Sequence, residues 1–125
     1  MTQGGTSTRF VQRFSALQME VAALKRALEP PDPVELGVRC MHVVRDTHSL
    51  LDTNVTVLFS EGTVEARQDL DALLGYAERQ IAGALSEEHE EAVILARLSV
   101  ALSLASIVLG RMDEAIEELR RRDML

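Results

Sequence analysis

The chain has 125 residues, 46% of them hydrophobic and only 3% aromatic, and a formal net charge of −7. This length fits one domain with a core of Leu, Val, Ile, Ala and Met, which is typical of helical bundles. The acidic balance opposes nucleic-acid binding, because the one run of arginines, at 120–122, lies where it complements a helix dipole. A single cysteine excludes an intrachain disulfide and fits the cytoplasm or another reducing intracellular compartment.

The first predicted element is an amphipathic helix over residues 6–29, preceded by a disordered lead at 1–5. Its apolar residues recur at intervals of 4, 3, 4, 3 and 4, the heptad repeat of a coiled coil. We call this set the N-terminal seam; it consists of Phe10, Phe14, Leu17, Val21, Leu24 and Leu28. A narrow seam followed by a proline hinge at 30–33 is typical of a helix that packs against another chain. The N-terminal seam is therefore the predicted interaction surface.

The remaining residues, 34–125, are predicted to form the core of an all-α, antiparallel bundle of four long helices with coiled-coil-like heptad packing. The second helix is expected to begin after Asp32, with Pro33 at its first position, and to end near residue 60. Thr63 is expected to cap the third helix, because a threonine hydroxyl can accept a hydrogen bond from the first turn.

A fourth helix is predicted to start at Ser86, a capping serine followed by two acidic residues. Its heptad phase, from Ile94 to Leu119, persists across Gly110. One helix continuing to about residue 122 fits this phase, and so does a break at Gly110 that produces a short fifth helix. The sequence leaves both alternatives open.

The fourth predicted helix is apolar on two faces at once. Val93, Val100 and Ile107 share one face, and a second face holds Leu95, Leu102, Leu109 and Ile116. A small bundle covers one broad face of a helix easily and two with difficulty, which indicates a dimer or an obligate partner. Residues 92–109 carry one charge and are just long enough to span a bilayer, so membrane contact through 92–109 is a minor alternative to the buried helix that we expect.

His48 occupies a heptad position of the second predicted helix. The stretch from Thr47 to Asp52 resembles the histidine phosphotransfer domains, four-helix bundles whose His-x-x-Lys-Gly motif carries the phosphorylated histidine. Leu51 and Asp52 stand where the lysine and glycine of that motif would be. The resemblance implies that His48 is an alternative phosphoacceptor in a degenerate signalling domain. The other interpretation is a partly buried imidazole bonded to a backbone or carboxyl group across the helices.

Catalytic and metal-binding constellations are not expected from this sequence. One cysteine and three scattered histidines, His42, His48 and His89, do not supply a four-ligand metal site. We therefore expect no cofactor and no enzymatic activity. The predicted function is a non-catalytic structural or adaptor subunit that acts through helix–helix association, as a homodimer or with a protein partner in a larger complex.

Overall fold

The computed structural model describes residues 2–26, 32–58, 63–86 and 89–122, with side chains described for 9–26, 32–52, 68–86 and 89–122. Its helices are α1 (Thr2–Arg26), α2 (Pro33–Leu58), α3 (Thr63–Ser86) and α4 (Glu91–Arg121). Within these residues the chain forms no strand. The predicted all-α class is confirmed.

Consecutive helices pack antiparallel. Gly37, near the start of α2, lies so close to Leu85, near the end of α3, that a Cβ added to the glycine would meet Cδ2 of the leucine at 2.7 Å. Arg39 of α2 likewise pairs with Glu20 of α1 at 3.3 Å. In the described part of the chain α2 and α4 each contact all three other helices, whereas α1 and α3 do not contact each other. The helical bundle that the sequence predicts is confirmed, with α2 and α4 each packed against every other helix.

The core is aliphatic, as the composition predicts. Its largest fully buried side chains come from all four helices: Leu24, Leu50, Leu51, Leu70, Leu74, Ile81, Leu98, Leu102, Met112 and Ile116. Burying one such side chain contributes about 1.5–3 kcal/mol, so apolar burial dominates the stability of the bundle. Thr47 is the one buried polar side chain among those described, and its Oγ1 donates to the Val43 carbonyl at 2.8 Å. That hydrogen bond satisfies the buried hydroxyl.

The start of α2 agrees with the sequence. Oδ1 of Asp32 accepts hydrogen bonds from the backbone N–H groups of Val34, at 3.0 Å, and Glu35, at 3.3 Å. Pro33 is the first helical residue, where its missing N–H costs nothing. The predicted start of α2 after Asp32, with Pro33 at its first position, is confirmed. Residues 30 and 31 of the predicted hinge, and the predicted helix end near residue 60, lie outside the described residues.

The structure corrects the predicted start of the first helix. α1 begins at Thr2, whereas the sequence predicts a disordered lead over 1–5. The first residues of a domain are commonly disordered, and Gly4 and Gly5 each cost about 1 kcal/mol relative to alanine in a helix. Extending an existing helix is far easier than nucleating one, because each added residue gains a backbone hydrogen bond. The long heptad helix that follows therefore extends toward the N-terminus through Gly4 and Gly5 to Thr2.

The boundary between α3 and α4 is also corrected. Ser86, predicted to cap the fourth helix, is instead the last residue of α3, and α4 begins at Glu91. The carbonyl of Gly83 is in the last turn of α3, where helical carbonyls lack a partner from their own helix. The Nε2 atom of His89 donates to this carbonyl at 3.2 Å. The histidine thus caps α3 from the connecting segment, a role that its place in an acidic run concealed.

α4 continues without a break through Gly110 to Arg121. Of the two alternatives that the sequence left open, the single long helix is the one observed. A Cβ added at Gly110 would meet nothing within 4 Å, so the glycine sits on an open surface. Its cost to the helix, about 1 kcal/mol relative to alanine, is small beside the apolar burial on the opposite side of α4.

Candidate functional site

The N-terminal seam lies inside the core of its own chain. Five of its six residues are between 0% and 8% exposed: Phe10, Phe14, Leu17, Val21 and Leu24. The helix that carries them packs against α2 and α4. Leu28, the sixth, lies outside the described residues. We therefore correct the interpretation of the N-terminal seam as a surface for another chain: here it is an intrachain packing surface.

α4 presents an exposed face without charged residues, which we call the outer face of α4. It comprises Val93, Ala96, Val100, Ser103, Ile107 and Gly110, spaced 3, 4, 3, 4 and 3 residues apart. Val93, Val100 and Ile107 are 40%, 44% and 52% exposed. The second apolar face that the sequence predicts for α4 lies on the inner side of the helix. Leu102, Leu109 and Ile116 of that face are buried in the core. The described residues of this chain therefore leave the outer face uncovered.

Length and composition alone also make α4 a candidate membrane span. Among the described helices it is the one whose apolar stretch is long enough, with a mean hydropathy of 2.3 over its best 18-residue window. Of that window, 33% is buried inside the bundle. The buried third is the inner face of α4, and the uncovered remainder includes the outer face. The high hydropathy thus has two sources, a core face and an exposed one.

His48 joins α2 to α3. Its Nε2 donates to Oδ1 of Asp71 at 2.9 Å, and both side chains are partly buried. The interpretation of His48 as a partly buried imidazole bonded to a carboxyl group across the helices is confirmed. Two more carboxylates lie near the ring: Asp52 Oδ2 is 3.9 Å from Nε2, and Glu78 Oε1 is 3.9 Å from Nδ1. The imidazole is therefore flanked by three acidic groups.

This arrangement bears on both chemistries considered for His48. A phosphoryl group adds about 1.5–2 negative charges, which neighbouring carboxylates repel. A divalent cation would be attracted, and the ligand atoms of His48, Asp52 and Asp71 lie within 4.8 Å of one another. These three residues could hold such an ion, although Nε2 would have to exchange its present hydrogen bond for a metal bond. Sequence reasoning missed Asp71 as a neighbour because it is 23 residues away, on another helix.

Cys40 is the one thiol of the chain and is fully buried in the core. Burial raises the pKa of the Cys40 thiol to about 11. The charge of Arg39 lowers the pKa by a smaller amount, and the charge of Glu20 raises it. A nucleophilic or metal-binding cysteine needs the reverse shift, since the thiolate is the reactive form. Cys40 acts here as a small apolar core residue.

Comparisons with protein-family models, with curated proteins and with solved structures find no match to this chain. The function is consequently inferred from the outer face of α4 and from the surroundings of His48.

Proposed function

We propose that the protein is a non-catalytic structural or adaptor subunit that works through helix–helix association, forming a homodimer through the outer face of α4. The observation that supports this proposal is an exposed strip without a charged residue from Val93 to Gly110. At 1.5 Å per residue the strip is roughly 26 Å long. A continuous uncharged strip of this length is a feature of association surfaces rather than of freely hydrated ones.

The fold itself does not require an apolar outer face. The stabilising contacts of α4 come from its inner side chains, including Leu98, Leu102 and Met112, which are fully buried. Charged or polar residues at Val93, Val100 and Ile107 would solvate that side of the helix without weakening the core. Exposed β-branched residues are also slightly poorer helix formers than Glu or Lys. Their presence on the outer face is accounted for by a contact with another molecule.

The alternative of a phosphotransfer-like domain, with His48 as phosphoacceptor, has less support. Asp52, Asp71 and Glu78 lie within 3.9 Å of the ring nitrogens. Phosphorylation would replace the Asp71 hydrogen bond with repulsion between anions. The lysine that such domains use to offset the phosphate charge is a leucine here, Leu51, and its side chain is fully buried. We therefore prefer association to phosphoryl transfer.

Molar mass as a function of concentration tests the homodimer. Multi-angle light scattering should give twice the 13.8 kDa of one chain at tens of micromolar. Val100→Glu should give a helical monomer, because the partner would have to bury an unpaired carboxylate. Met19→Glu is the matched control: Met19 is an isolated exposed residue of α1, 72% accessible, so this variant should remain dimeric.

Three results would contradict the proposal. One is a wild-type protein that is monomeric at these concentrations. Another is a Val100→Glu variant that dimerises as well as the wild type. The third is a wild-type protein that binds phosphatidylcholine vesicles through α4, which would favour a membrane surface over a second copy of the chain.

A further inference from the structure

Large and small residues alternate along the outer face of α4. Val93, Val100 and Ile107 occupy one heptad position, and Ala96, Ser103 and Gly110 occupy the other. All six are exposed, and Ile107 is the most accessible of the β-branched three. Such a face presents ridges separated by low points. A partner surface fits it closely when its own ridges fall opposite those low points.

A second copy of the face meets this condition when it runs antiparallel. With a twofold axis between Val100 and Ser103, every large residue lies opposite a small residue of the second copy. The opposed pairs are Val93 with Gly110, Ala96 with Ile107, and Val100 with Ser103. In a parallel pairing large residues would instead lie opposite large residues and small opposite small. The contacts between large residues would then prevent the helices from approaching closely at the small residues. The alternation therefore specifies the direction of the partner helix.

The charges beside the face agree with the same register. On the flank toward α3, Glu90, the residue that immediately precedes the first turn of α4, falls opposite Arg111 of the second copy, and twofold symmetry makes this contact twice. Both residues are exposed, and Arg111 lies 3.9 Å from Glu114 of its own chain in an open ion pair that leaves it free to reorient. The other flanking pairs contain no like charges: Arg97 with Leu104, Ala92 with Asp113, and Ser99 with Ser106. The alternation of size thus specifies the antiparallel direction, and the flanking charges favour this register over one shifted by a heptad, in which Arg97 would face Arg97 of the second copy.

We infer that the outer face of α4 binds a second copy of itself in an antiparallel, twofold-symmetric pair centred between Val100 and Ser103, with Glu90 and Arg111 joined across it. This inference rests on the homodimer proposed above and adds its geometry. Because the face is used by both copies in the same way, the assembly closes at two chains.

Cysteine cross-linking tests the register. In a Cys40→Ala background, Ala96→Cys and Ile107→Cys variants are prepared separately and oxidised mildly, alone and mixed. In the antiparallel pair, a residue at 96 lies opposite 107 of the second copy and about 16 Å along the axis from its own equivalent. The mixture should therefore form disulfide-linked dimers, whereas neither variant alone should do so. A parallel pair would give the reverse pattern, with each variant cross-linking to itself.

Charge reversal provides a second test that keeps the apolar face intact. Glu90→Arg and Arg111→Glu should each raise the dimer Kd by roughly tenfold, because two attractive contacts become repulsive. The double variant should return the Kd to near the wild-type value. Arg45→Glu, an exposed reversal on α2, is the control and should leave it unchanged.

The two proposals fail in different ways. A monomeric wild type removes the homodimer and the register together. A dimeric wild type whose single-cysteine variants cross-link to themselves, or whose double charge reversal is as weak as either single one, overturns the antiparallel register and leaves the homodimer standing.

Discussion

Truncation of Phe14 to alanine tests the assignment of the N-terminal seam to the core of its own chain. Phe14 is 3% exposed, and its ring stacks on Phe10 with centroids 6.4 Å apart and planes 25° apart. Removing a buried phenylalanine costs about 3–5 kcal/mol through lost transfer energy and the cavity left behind. The stacked pair adds about 0.5–1.5 kcal/mol within that range. We expect a loss near 3–4 kcal/mol, since α1 packs on two helices and can partly close the cavity.

Urea unfolding followed by circular dichroism at 222 nm measures this loss, at one fixed low protein concentration because dimerisation adds to apparent stability. Met19→Ala on the same helix is the control and should change the free energy of unfolding by less than about 0.5 kcal/mol. The opposite pattern would refute the assignment. If Phe14→Ala converted a dimer into a monomer and left the unfolding free energy of the monomer unchanged, the N-terminal seam would face another chain after all.

The remaining predictions concern His48 and Cys40. His48→Ala and Asp71→Ala should each lower the free energy of unfolding by about 0.5–1.5 kcal/mol. The double variant should lose less than the sum, because both substitutions remove the same hydrogen bond; strictly additive losses would contradict the presence of that bond. EDTA should leave the wild-type Tm unchanged, and a fall of several degrees would instead reveal a cation held by His48, Asp52 and Asp71. The folded-state pKa of Cys40 is raised to about 11, so stability should decline above about pH 8.5, where the unfolded chain releases the thiol proton that the folded chain retains. Comparing Cys40→Ala with wild type by urea unfolding at pH 8 and pH 10 isolates this decline, and equal losses in both proteins would contradict it.

The spacing of apolar residues was enough to predict the helices and their buried faces. In α3 the apolar residues spaced 4, 3, 4 and 3 apart are all buried: Leu70, Leu74, Ala77, Ile81 and Ala84. Helix ends were harder, because they depend on contacts from outside the helix. The hydrogen bond from His89 back to Gly83 is one such contact, at the end of α3, where Ser86 is the last helical residue instead of the predicted cap of α4. Periodicity describes the body of a helix and contains little information about what caps it.

The same limit explains the candidate surfaces. A heptad seam shows which face of a helix is covered but not which chain covers it. From the sequence alone, an intermolecular contact is therefore as plausible at Phe14 as at Val100. Their exposures separate them, at 3% for Phe14 and 44% for Val100. The neighbours of His48 could not be predicted from the sequence for a related reason. Asp71 and Glu78 become neighbours through the relative register of α2 and α3, which is set by packing across the whole bundle.

The contact of α4 with every other helix has a consequence for how the protein is made. α4 is the last of the four helices to leave the ribosome, and each of the other three packs against it. At about 5–20 residues per second, its 31 residues take roughly 2–6 s to synthesise. Throughout that time the faces of α1, α2 and α3 that later pack against α4 remain without cover. The nascent chain therefore carries exposed apolar surface until α4 has been synthesised, and the bundle closes only after translation has passed α4.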